Sequence, residues 1–579
     1  MKGAEIVIDC LLKEKVEHIF GFPGGSVLDI FNILNKSPIH FILVRHEQGA
    51  AHAADGYARS TGKVGVCIAT SGPGATNLVT GIATAYMDSI PIVAITGQVP
   101  TAMIGNDAFQ EADVTGITRP ITKHNYLVNN VDDLAAIMKD AFYIARSGRP
   151  GPVVIDIPKD VQQKETQNIY PEKHSLAGYK PKTEGHIKQI EKVAEAIKNA
   201  KRPIIYAGGG VILSNASKEL TEFVHKTGIP ITTTLMALGA FPESDPLSLK
   251  MLGMHGTKYA NKAVTEADLL IAIGARFDDR ITGKLSLFAK GATIAHIDID
   301  PSSISKNVTV HIPVVGDVKN VLGQLNQIVQ KGNYEDWVQR VLAWKKEFPL
   351  TYKMEQNGDG VKPQYVIEQI YKETNGDAII CTEVGQNQMW AAQYFTYNRP
   401  RQFLSSGGLG TMGYGFPAAI GAQIGNPDAI VFDIAGDGSI QMNIQELATA
   451  VNNGLPVKIA ILNNSYLGMV RQWQKLFYSK NYSHTCLRWN TKCPPICNTP
   501  GQNCPPYVPD FVKLAEAYGA VGMRIDKTAD VSSAIREGIK IKRTVIMEFI
   551  CSKEEDVWPM VPAGEPISNM LDEQDFTLV

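Results

Sequence analysis

Short apolar runs, each ending in a glycine-rich or polar turn, alternate along the chain with segments of helical periodicity. This alternation is typical of parallel sheets whose strands are joined by helices. In residues 1–165 the predicted strands are HIFGFPGG, FILVRHE, VGVCIATSGPG, PIVAITGQ and PVVIDIPKD. A second set, in residues 191–345, comprises RPIIYAGGG, IPITTTL, DLLIAIGARFDD and ATIAHIDIDP. A third, in residues 360–552, comprises DAIICTEVG, AIVFDIAGDGS, VKIAILNNS and TVIMEFI. The pattern predicts an α/β fold of three doubly wound parallel-sheet domains.

The segments around these domains lack such periodicity. A polar stretch predicts a linker at 166–190, and residues 553–579 are expected to form a C-terminal tail. The total length of 579 residues is enough for three to four domains at about 150 residues each.

Composition and charge narrow the class of protein. Hydrophobic residues make up 44% and charged residues 20% of the chain, as in an ordinary globular protein. The 56 Lys and Arg nearly balance the 58 Asp and Glu, so no basic surface for nucleic acid or for an anionic membrane is expected. No uncharged apolar run reaches about 18 residues, and the first residues lack a signal-peptide pattern. We therefore expect a cytoplasmic protein without a membrane span.

Two polar motifs end neighbouring strands of the third domain. GDGS at 436–439 follows one apolar run, and Asn463-Asn464 follows the next, with Asn464 27 positions after Asp437. The helical pattern IQELATAVNNG between them supplies the crossover that parallel strands require. Asp437 and Asn464 should then lie together at the carboxyl ends of the strands, where open α/β sheets bind ligands. Their hard oxygen atoms suit Mg²⁺ with a diphosphate as its other ligand, whereas either motif alone is an ordinary turn.

The spacing from GDG to NN resembles the thiamine diphosphate (ThDP) motif. Enzymes that use ThDP also need an acidic residue, and the first domain offers a candidate. Glu47, in RHEQGAAHAADGYAR, lies between a predicted strand end and a helix that begins at about Gln48. ThDP chemistry needs a carboxyl group against the aminopyrimidine ring, so that the ring can remove the proton from the thiazolium carbon. The alternative is an acid in the first turn of a helix, where the helix dipole favours it.

Many further motifs, in order and over essentially the whole chain, resemble the catalytic subunit of the acetohydroxyacid synthase (acetolactate synthase) family. They include FGFPGG, ATSGPGATNL, AITGQV, GRPGPVVIDIPKDVQ, MLGMHG, GARFDDRITG, HIDIDP, GGLGTMGYGFPAAIGA and GMVRQWQ. The resemblance implies pyrimidine-binding, central FAD-binding and diphosphate-binding domains, with ThDP, Mg²⁺ and FAD as cofactors. It also implies a homodimer or a dimer of dimers with active sites between subunits, and a regulatory small subunit as a further partner.

The implied reaction decarboxylates pyruvate and joins the remaining two-carbon unit to a second 2-ketoacid. Pyruvate as acceptor gives 2-acetolactate and 2-ketobutyrate gives 2-aceto-2-hydroxybutyrate, the first common step of branched-chain amino-acid biosynthesis. The alternatives within ThDP enzymes are catabolic acetolactate synthase, pyruvate oxidase and glyoxylate carboligase. A non-catalytic binding or regulatory protein on a ThDP scaffold is an alternative of another class.

The resemblance also implies roles for individual residues. Those expected to ligate Mg²⁺ are Asp437, Asn464 and Tyr466, the last through its carbonyl. Those expected to contact ThDP are Glu47, Gln386, Gly410, Met412, Gly436, Gly438, Ser439, Gly468 and Met469. The expected catalytic residues are Glu47, Gln110, Lys159 and Met412, and the expected substrate-binding residues are Phe109, Arg280 and Trp473. Met412 would lie under the thiazolium ring, and Arg280 would pair with the 2-ketoacid carboxylate.

The FAD assignment depends mainly on the resemblance, because the second domain has only Gly208-Gly209-Gly210 and no GxGxxG motif. Asp298 or Asp300 could accept hydrogen bonds from ribose hydroxyls. The residues expected at this site are Arg149, Gly209, Gly210, His255, Gly256, Arg276, Asp298, Asp300 and Asp317.

The sequence departs from the family at two places. The family histidine of the diphosphate-contacting V-G-Q-H segment is Asn387 here, which puts one phosphate donor in doubt. An insert at 486–504 carries four cysteines, Cys486, Cys493, Cys497 and Cys504. Their spacing is not of the C-x₂-C type, and a bound Zn²⁺ or iron–sulfur cluster, a pair of disulfides and reduced thiols in a surface loop all remain open.

Overall fold

The computed structural model describes residues 1–167, 169–174, 176–354, 360–494, 497 and 504–576. Parts of the predicted linker, of the cysteine-rich insert and of the tail lie outside these residues. Three parallel sheets of six strands each organise the chain, which confirms the predicted fold class. We refer to each sheet with its helices as the N-terminal, central and C-terminal domain.

The N-terminal domain is built on a sheet of order β2-β1-β3-β4-β6-β5. Its strands are β1 His18–Gly21, β2 His40–Leu43, β3 Gly65–Ala69, β4 Ile92–Gln98, β5 His124–Leu127 and β6 Val153–Pro158. Its helices are α1 Gly3–Lys13, α2 Leu28–Leu34, α3 Glu47–Thr61, α4 Pro73–Asn77, α5 Val79–Asp88, α6 Val114–Thr118, α7 Leu134–Arg146 and α8 Lys159–Gln163. The inner strands β3, β4 and β6 are buried along their whole length, as strands covered by helices on both faces should be.

The central domain has the sheet order β12-β11-β10-β7-β8-β9. Its strands are β7 Pro203–Ala207, β8 Ile231–Thr233, β9 Ser248–Met251, β10 Leu269–Ile273, β11 Thr293–Asp298 and β12 Ile312–Val315. Its helices are α9 Ile187–Asn199, α10 Gly210–Leu213, α11 Ser217–Thr227, α12 Lys258–Glu266, α13 Asp279–Thr282, α14 Val318–Ile328 and α15 Glu335–Glu347.

The C-terminal domain has the sheet order β14-β13-β15-β16-β18-β17. Its strands are β13 Ile379–Thr382, β14 Phe403–Leu404, β15 Val431–Gly436, β16 Lys458–Asn463, β17 Val521–Ile525 and β18 Val545–Ile550. Its helices are α16 Pro363–Glu373, α17 Gln386–Tyr394, α18 Gly415–Gly425, α19 Leu447–Asn452, α20 Gly468–Phe477, α21 Phe511–Ala517 and α22 Val531–Lys540, with α23 Glu573–Phe576 in the tail. No helix in the described ranges has the length and apolar character needed to cross a membrane.

Helices α3 and α18 bring the N-terminal and C-terminal domains into close contact. A Cβ on Gly56 of α3 would lie 2.2 Å from the carbonyl oxygen of Ala418, and one on Gly421 of α18 would lie 1.9 Å from that of Ala53. Only glycine allows the two backbones to approach this closely. The contact therefore holds α3, which begins at Glu47, firmly against the domain that carries the GDG motif.

Candidate active site

The carboxyl ends of β15 and β16 form the centre of the candidate site. The strands are parallel neighbours, with Gly436 opposite Leu462, so Asp437 and Asn464 each follow the end of an adjacent strand. Two 3-10 turns, Ile440–Met442 and Ile444–Glu446, precede α19 in the crossover that was predicted as one helix. Sequence spacing and sheet order thus agree on where the two polar residues meet.

Asp437 has the properties of a cation ligand. It is only 1% exposed, and its Oδ2 atom has no hydrogen-bond partner among the described residues. Burial raises the pKa of its carboxyl to about 7. A buried carboxylate oxygen without a partner is costly unless a cation or proton neutralises it. The residues present therefore fit a divalent cation between the GDG turn and Asn464.

Asn464 is oriented by a chain of buried amides. Its Nδ2 donates to Gln386 Oε1 at 3.2 Å, and Gln386 Nε2 donates to Gln472 Oε1 at 3.0 Å and to the Glu555 carbonyl at 3.1 Å. Gly468, the first residue of α20, leaves room for this pair, because a Cβ there would lie 2.1 Å from Gln386 Oε1. Gln472 and Glu555 were not predicted as site residues; Gln472 lies within the VRQWQ motif, which could have indicated it.

Polar side chains of Ser439 and Asn387 lie next to the GDG turn. A Cβ on Gly436 would lie 3.4 Å from Ser439 Oγ and 3.5 Å from Asn387 Oδ1. Asn387 donates its Nδ2 to the Ile434 carbonyl at 2.8 Å, so the residue that replaces the family histidine is tied to the end of β15. Gly438 packs close to Leu467 and Leu487, at 2.8 and 3.2 Å from a built Cβ.

Residues 405–414, which we call the Met412 loop, join β14 to α18. Gly410 and Gly413 have φ values of 75° and 88°, in the left-handed region that favours glycine. Met412 between them is partly exposed. The loop thus presents an unbranched apolar side chain between two glycines, and other residue types at these two positions would strain the backbone. Met469, which follows Gly468 on α20, packs against the apolar core of the same domain.

Glu47 is the first residue of α3 and is nearly buried. Its Oε2 accepts a hydrogen bond from Asn77 Nδ2 at 2.9 Å, and its Oε1 lies 3.3 Å from the position of a Cβ built on Gly74. His46 caps the helix by accepting the Gln48 N–H at 3.1 Å. Since His46 supplies the cap, the carboxylate of Glu47 is not needed to cap the helix and is available to contact a ligand.

Arg280 and Trp473 come together although they belong to different domains. The Arg280 guanidinium lies 5.8 Å from the centre of the Trp473 ring, a cation–π contact. Arg280 also lines a cavity of about 160 Å³ together with Met254, Gly283 and residues 561–564 of the tail. The guanidinium of Arg280 thus contacts the Trp473 ring and also reaches the wall of a small cavity, where a cation suits a compact carboxylate.

Three other predicted residues lie on the N-terminal domain. Phe109 is 89% exposed, Gln110 has a φ of 59° with its backbone against Gly72, and Lys159 is the first residue of α8. None of the hydrogen bonds, ion pairs and ring contacts in the described part of one chain joins them to Arg280 or Trp473.

Four of the residues predicted for FAD lie at the carboxyl ends of neighbouring strands of the central sheet. Gly209 and Gly210 follow β7, Arg276 follows β10 and Asp298 ends β11, and these three strands are neighbours. The remaining predicted residues make structural contacts. Arg149 pairs with Asp300 at 3.3 Å, Asp317 caps α14 and accepts from Ser214 Oγ at 3.0 Å, His255 is buried, and Gly256 packs on Leu252 at 2.4 Å from a built Cβ.

All four cysteines of the insert are free thiols in the structure. Within the described ranges, no group of three or more His, Cys, Asp or Glu side chains could hold a metal ion.

Comparisons with known proteins agree with this geometry. Family models described as the N-terminal TPP binding domain, the central domain and the C-terminal TPP binding domain of thiamine pyrophosphate enzymes match residues 1–117, 190–325 and 383–549. The chain is 50% identical over 577 residues to the acetolactate synthase large subunit of Corynebacterium glutamicum, covering 98% of this chain and 90% of that protein.

Two further relatives extend the similarity. The acetolactate synthase of Mycobacterium leprae is 50% identical over 572 residues, covering 97% of this chain and 89% of that protein. The chloroplastic acetolactate synthase of Arabidopsis thaliana is 48% identical over 586 residues, covering 99% of this chain and 85% of that protein. The chain therefore belongs to the acetolactate synthase family of thiamine pyrophosphate enzymes.

Proposed function

We propose that this chain decarboxylates pyruvate and joins the resulting two-carbon unit to a second 2-ketoacid, with ThDP and Mg²⁺ as cofactors. Pyruvate as acceptor gives 2-acetolactate, and 2-ketobutyrate gives 2-aceto-2-hydroxybutyrate. The observation that carries the proposal is the Asp437–Asn464 pair at the ends of β15 and β16, with a buried carboxylate oxygen that lacks a partner. Family membership supports the same assignment.

Asp437 and Asn464 would hold Mg²⁺, with the Tyr466 carbonyl as a third ligand. Gln386 orients the Asn464 amide, and a phosphate would lie against Gly436 and Ser439. Oxygen ligands of this kind leave the cation's remaining positions to diphosphate oxygens. The residues fit the group, because the charge of Mg²⁺ would neutralise the buried Asp437 carboxylate.

ThDP, when bound, supplies a nucleophilic carbon and an electron sink for the loss of CO₂. Glu47 would hold a proton at its carboxylate and exchange it with the aminopyrimidine ring, in a site made with a second copy of the chain. Arg280 would pair with the carboxylate of the 2-ketoacid, and Trp473 would limit the space for the acceptor's alkyl group. Phe109, Gln110 and Lys159 would complete the entrance to the site.

FAD would bind at the carboxyl ends of the central-sheet strands, near Gly209, Gly210 and Asp298. The proposed reaction has no net change in oxidation state, so a flavin there would act on the structure. Reduction of the flavin without oxygen should leave carboligation intact. A homodimer or a dimer of dimers, a regulatory small subunit and a cytoplasmic location stay predictions from the family resemblance.

One assay tests the proposal. The purified protein is incubated with pyruvate, ThDP, Mg²⁺ and FAD, with and without equimolar 2-ketobutyrate, and the products are identified by mass. We expect 2-acetolactate alone in the first case and both acetohydroxyacids in the second. No product would refute the proposal. So would acetyl phosphate with peroxide in place of 2-acetolactate when phosphate and oxygen are supplied, or tartronate semialdehyde as the main product when glyoxylate is supplied beside pyruvate.

A further inference from the structure

The start of the Met412 loop is held by side chains of the N-terminal domain. Asp88, the last residue of α5, accepts the backbone N–H of Gly407 at 3.1 Å and that of Gly408 at 2.7 Å. Arg59, near the end of α3, donates to the carbonyl of Ser405 at 2.9 Å. The start of the loop is therefore anchored by a domain whose sequence lies more than 300 residues earlier.

Asp88 and Arg59 belong to a buried charged network. Arg59 Nε lies 2.5 Å from Asp55 Oδ1, and Arg59 Nη2 lies 2.9 Å from Asp88 Oδ2. Tyr414, where the loop ends, donates its hydroxyl to Asp55 at 2.7 Å. The side chains of Asp55 and Asp88 are fully buried and that of Arg59 is 6% exposed. Two carboxylates face one guanidinium, and the loop N–H groups and the Tyr414 hydroxyl stabilise the excess negative charge.

The packing leaves the loop little freedom at its start. A Cβ on Gly408 would lie 2.8 Å from Asp88 Oδ1, closer than side chains tolerate. The hydroxyls of Thr84, on α5, and Thr411 lie 2.7 Å apart, and Ser406 Oγ accepts the Thr411 N–H at 3.0 Å. These contacts end one residue before Met412.

We propose that Asp88, held by Arg59, is a positioning residue that sets the place of Met412 against the thiazolium ring; this inference depends on the proposed ThDP site. After Met412, the Gly413 N–H donates to Glu383 Oε2 at 2.6 Å and the Gly413 carbonyl accepts from Asn443 Nδ2 at 2.7 Å. The C-terminal domain therefore fixes the end of the loop, whereas Asp88 fixes its start. If Asp88 is replaced by a neutral residue, the N–H groups of Gly407 and Gly408 lose a charged acceptor. Arg59 then keeps only Asp55 of its two carboxylate partners. A displacement of about 1 Å in such a positioning element costs on the order of 100-fold in rate.

The test compares Asp88→Asn with Glu14→Gln as a matched control. Glu14 is likewise a carboxylate of the N-terminal domain that is 4% exposed and paired with an arginine, but it lies at the end of α1, beside Arg146 of α7. Three quantities are measured for each: ThDP affinity, the rate of deuterium exchange at the thiazolium C2 of bound ThDP, and amide exchange at residues 407–408 without cofactor.

For Asp88→Asn we expect ThDP affinity within about threefold of the wild type, C2 exchange slower by about 10- to 100-fold and faster amide exchange at 407–408. Glu14→Gln should leave all three unchanged. Unchanged C2 exchange in Asp88→Asn would overturn the inference. So would a joint loss of ThDP binding and C2 exchange, because Asp88 would then support the site as a whole.

A milder pair keeps the inference testable if Asp88→Asn does not fold. Thr84→Val removes the hydroxyl contact to Thr411 at nearly constant volume, and Thr84→Ser keeps it. We expect slower C2 exchange in the first and the wild-type rate in the second; equal rates would count against the inference. A wild type that exchanges C2 but forms no acetohydroxyacid would refute the proposed function and leave this inference standing.

Discussion

Replacing Gly468 by alanine should weaken the binding of Mg²⁺ and ThDP. A Cβ at this position would lie 2.1 Å from Gln386 Oε1 and 2.8 Å from Asn464 Nδ2, distances that real Cβ atoms essentially never show. These two atoms form the 3.2 Å hydrogen bond that orients Asn464. The new methyl group therefore has to push the two side chains apart.

The size of the effect follows from the bonds at risk. Gln386 takes part in hydrogen bonds to Asn464, Gln472 and the Glu555 carbonyl, each worth about 1 kcal/mol net. Displacing its side chain should lose one or two of them, so about 1–2 kcal/mol, which corresponds to roughly 5- to 30-fold in affinity. The ligand-free protein makes the same hydrogen bonds and loses them too. Binding is weakened because Mg²⁺ needs the Asn464 oxygen in the orientation that these bonds maintain.

The assay is titration of the protein with ThDP at fixed Mg²⁺, followed by quenching of tryptophan fluorescence. Gly323→Ala is the matched control: Gly323 lies inside α14, and a Cβ there meets no atom within 4 Å. It should bind ThDP normally and gain about 0.5–1 kcal/mol of stability. A Gly468→Ala protein that binds within twofold of the wild type would refute the role given to the Gln386–Asn464 pair, as would an equal loss in the control.

Three further predictions concern single side chains. Glu47→Gln should keep ThDP affinity within a few fold but lose C2 exchange and turnover, and normal turnover would contradict the role of Glu47. Arg280→Met should raise the KM for pyruvate by about 10- to 100-fold, with Arg280→Lys intermediate, and an unchanged KM would exclude Arg280 from the carboxylate site. Asp156 is buried, which raises its pKa to about 7 from 3.8. Between about pH 4 and pH 7 the carboxyl of Asp156 is protonated in the folded state and ionised in the unfolded chain. The free energy of unfolding therefore falls as pH rises through this window, by up to about 4 kcal/mol. The Tm of Asp156→Asn relative to wild type should therefore be higher at pH 8 than at pH 5, and a constant difference would contradict the shift.

The strands that sequence patterns failed to predict share one property: they lie at sheet edges. β5 (HNYL) and β17 (VGMRI) have mostly half-exposed or exposed residues, and β14 has only two residues. β9 and β12 also lie at edges. Hydrophobic runs reveal strands that are buried on both faces, whereas an edge strand forms because its neighbour offers a free row of hydrogen-bonding groups. Inner strands carry the motifs, so their positions could be predicted well enough to bring Asp437 and Asn464 together.

The supporting contacts of the site could not be predicted in the same way. Gln386 meets Gln472 across 86 residues of sequence, and Asp88 meets Gly408 across 320. No local pattern encodes such pairs, because each depends on how two helices or domains pack. Motifs such as GDG are recognisable because a short segment performs the whole task by itself. The orientation of that segment is set by distant residues with ordinary local sequences.

The cysteine-rich insert is joined at both ends to the turns that carry Asp437 and Asn464. Thr485 and Leu487, at its start, bond to the backbone of Leu467 and Ser465 at 2.9 Å each, directly after Asn464. At its far end Tyr507 donates its hydroxyl to the Asp437 carbonyl at 3.3 Å. Both ends are thus tied to the two turns that would hold Mg²⁺, so the chain between them can lengthen without changing the ends of β15 and β16. A change in the length of the insert that kept these hydrogen bonds would leave Asp437 and Asn464 in place. Loss of the bonds at either end would displace the turn that carries one of these two residues.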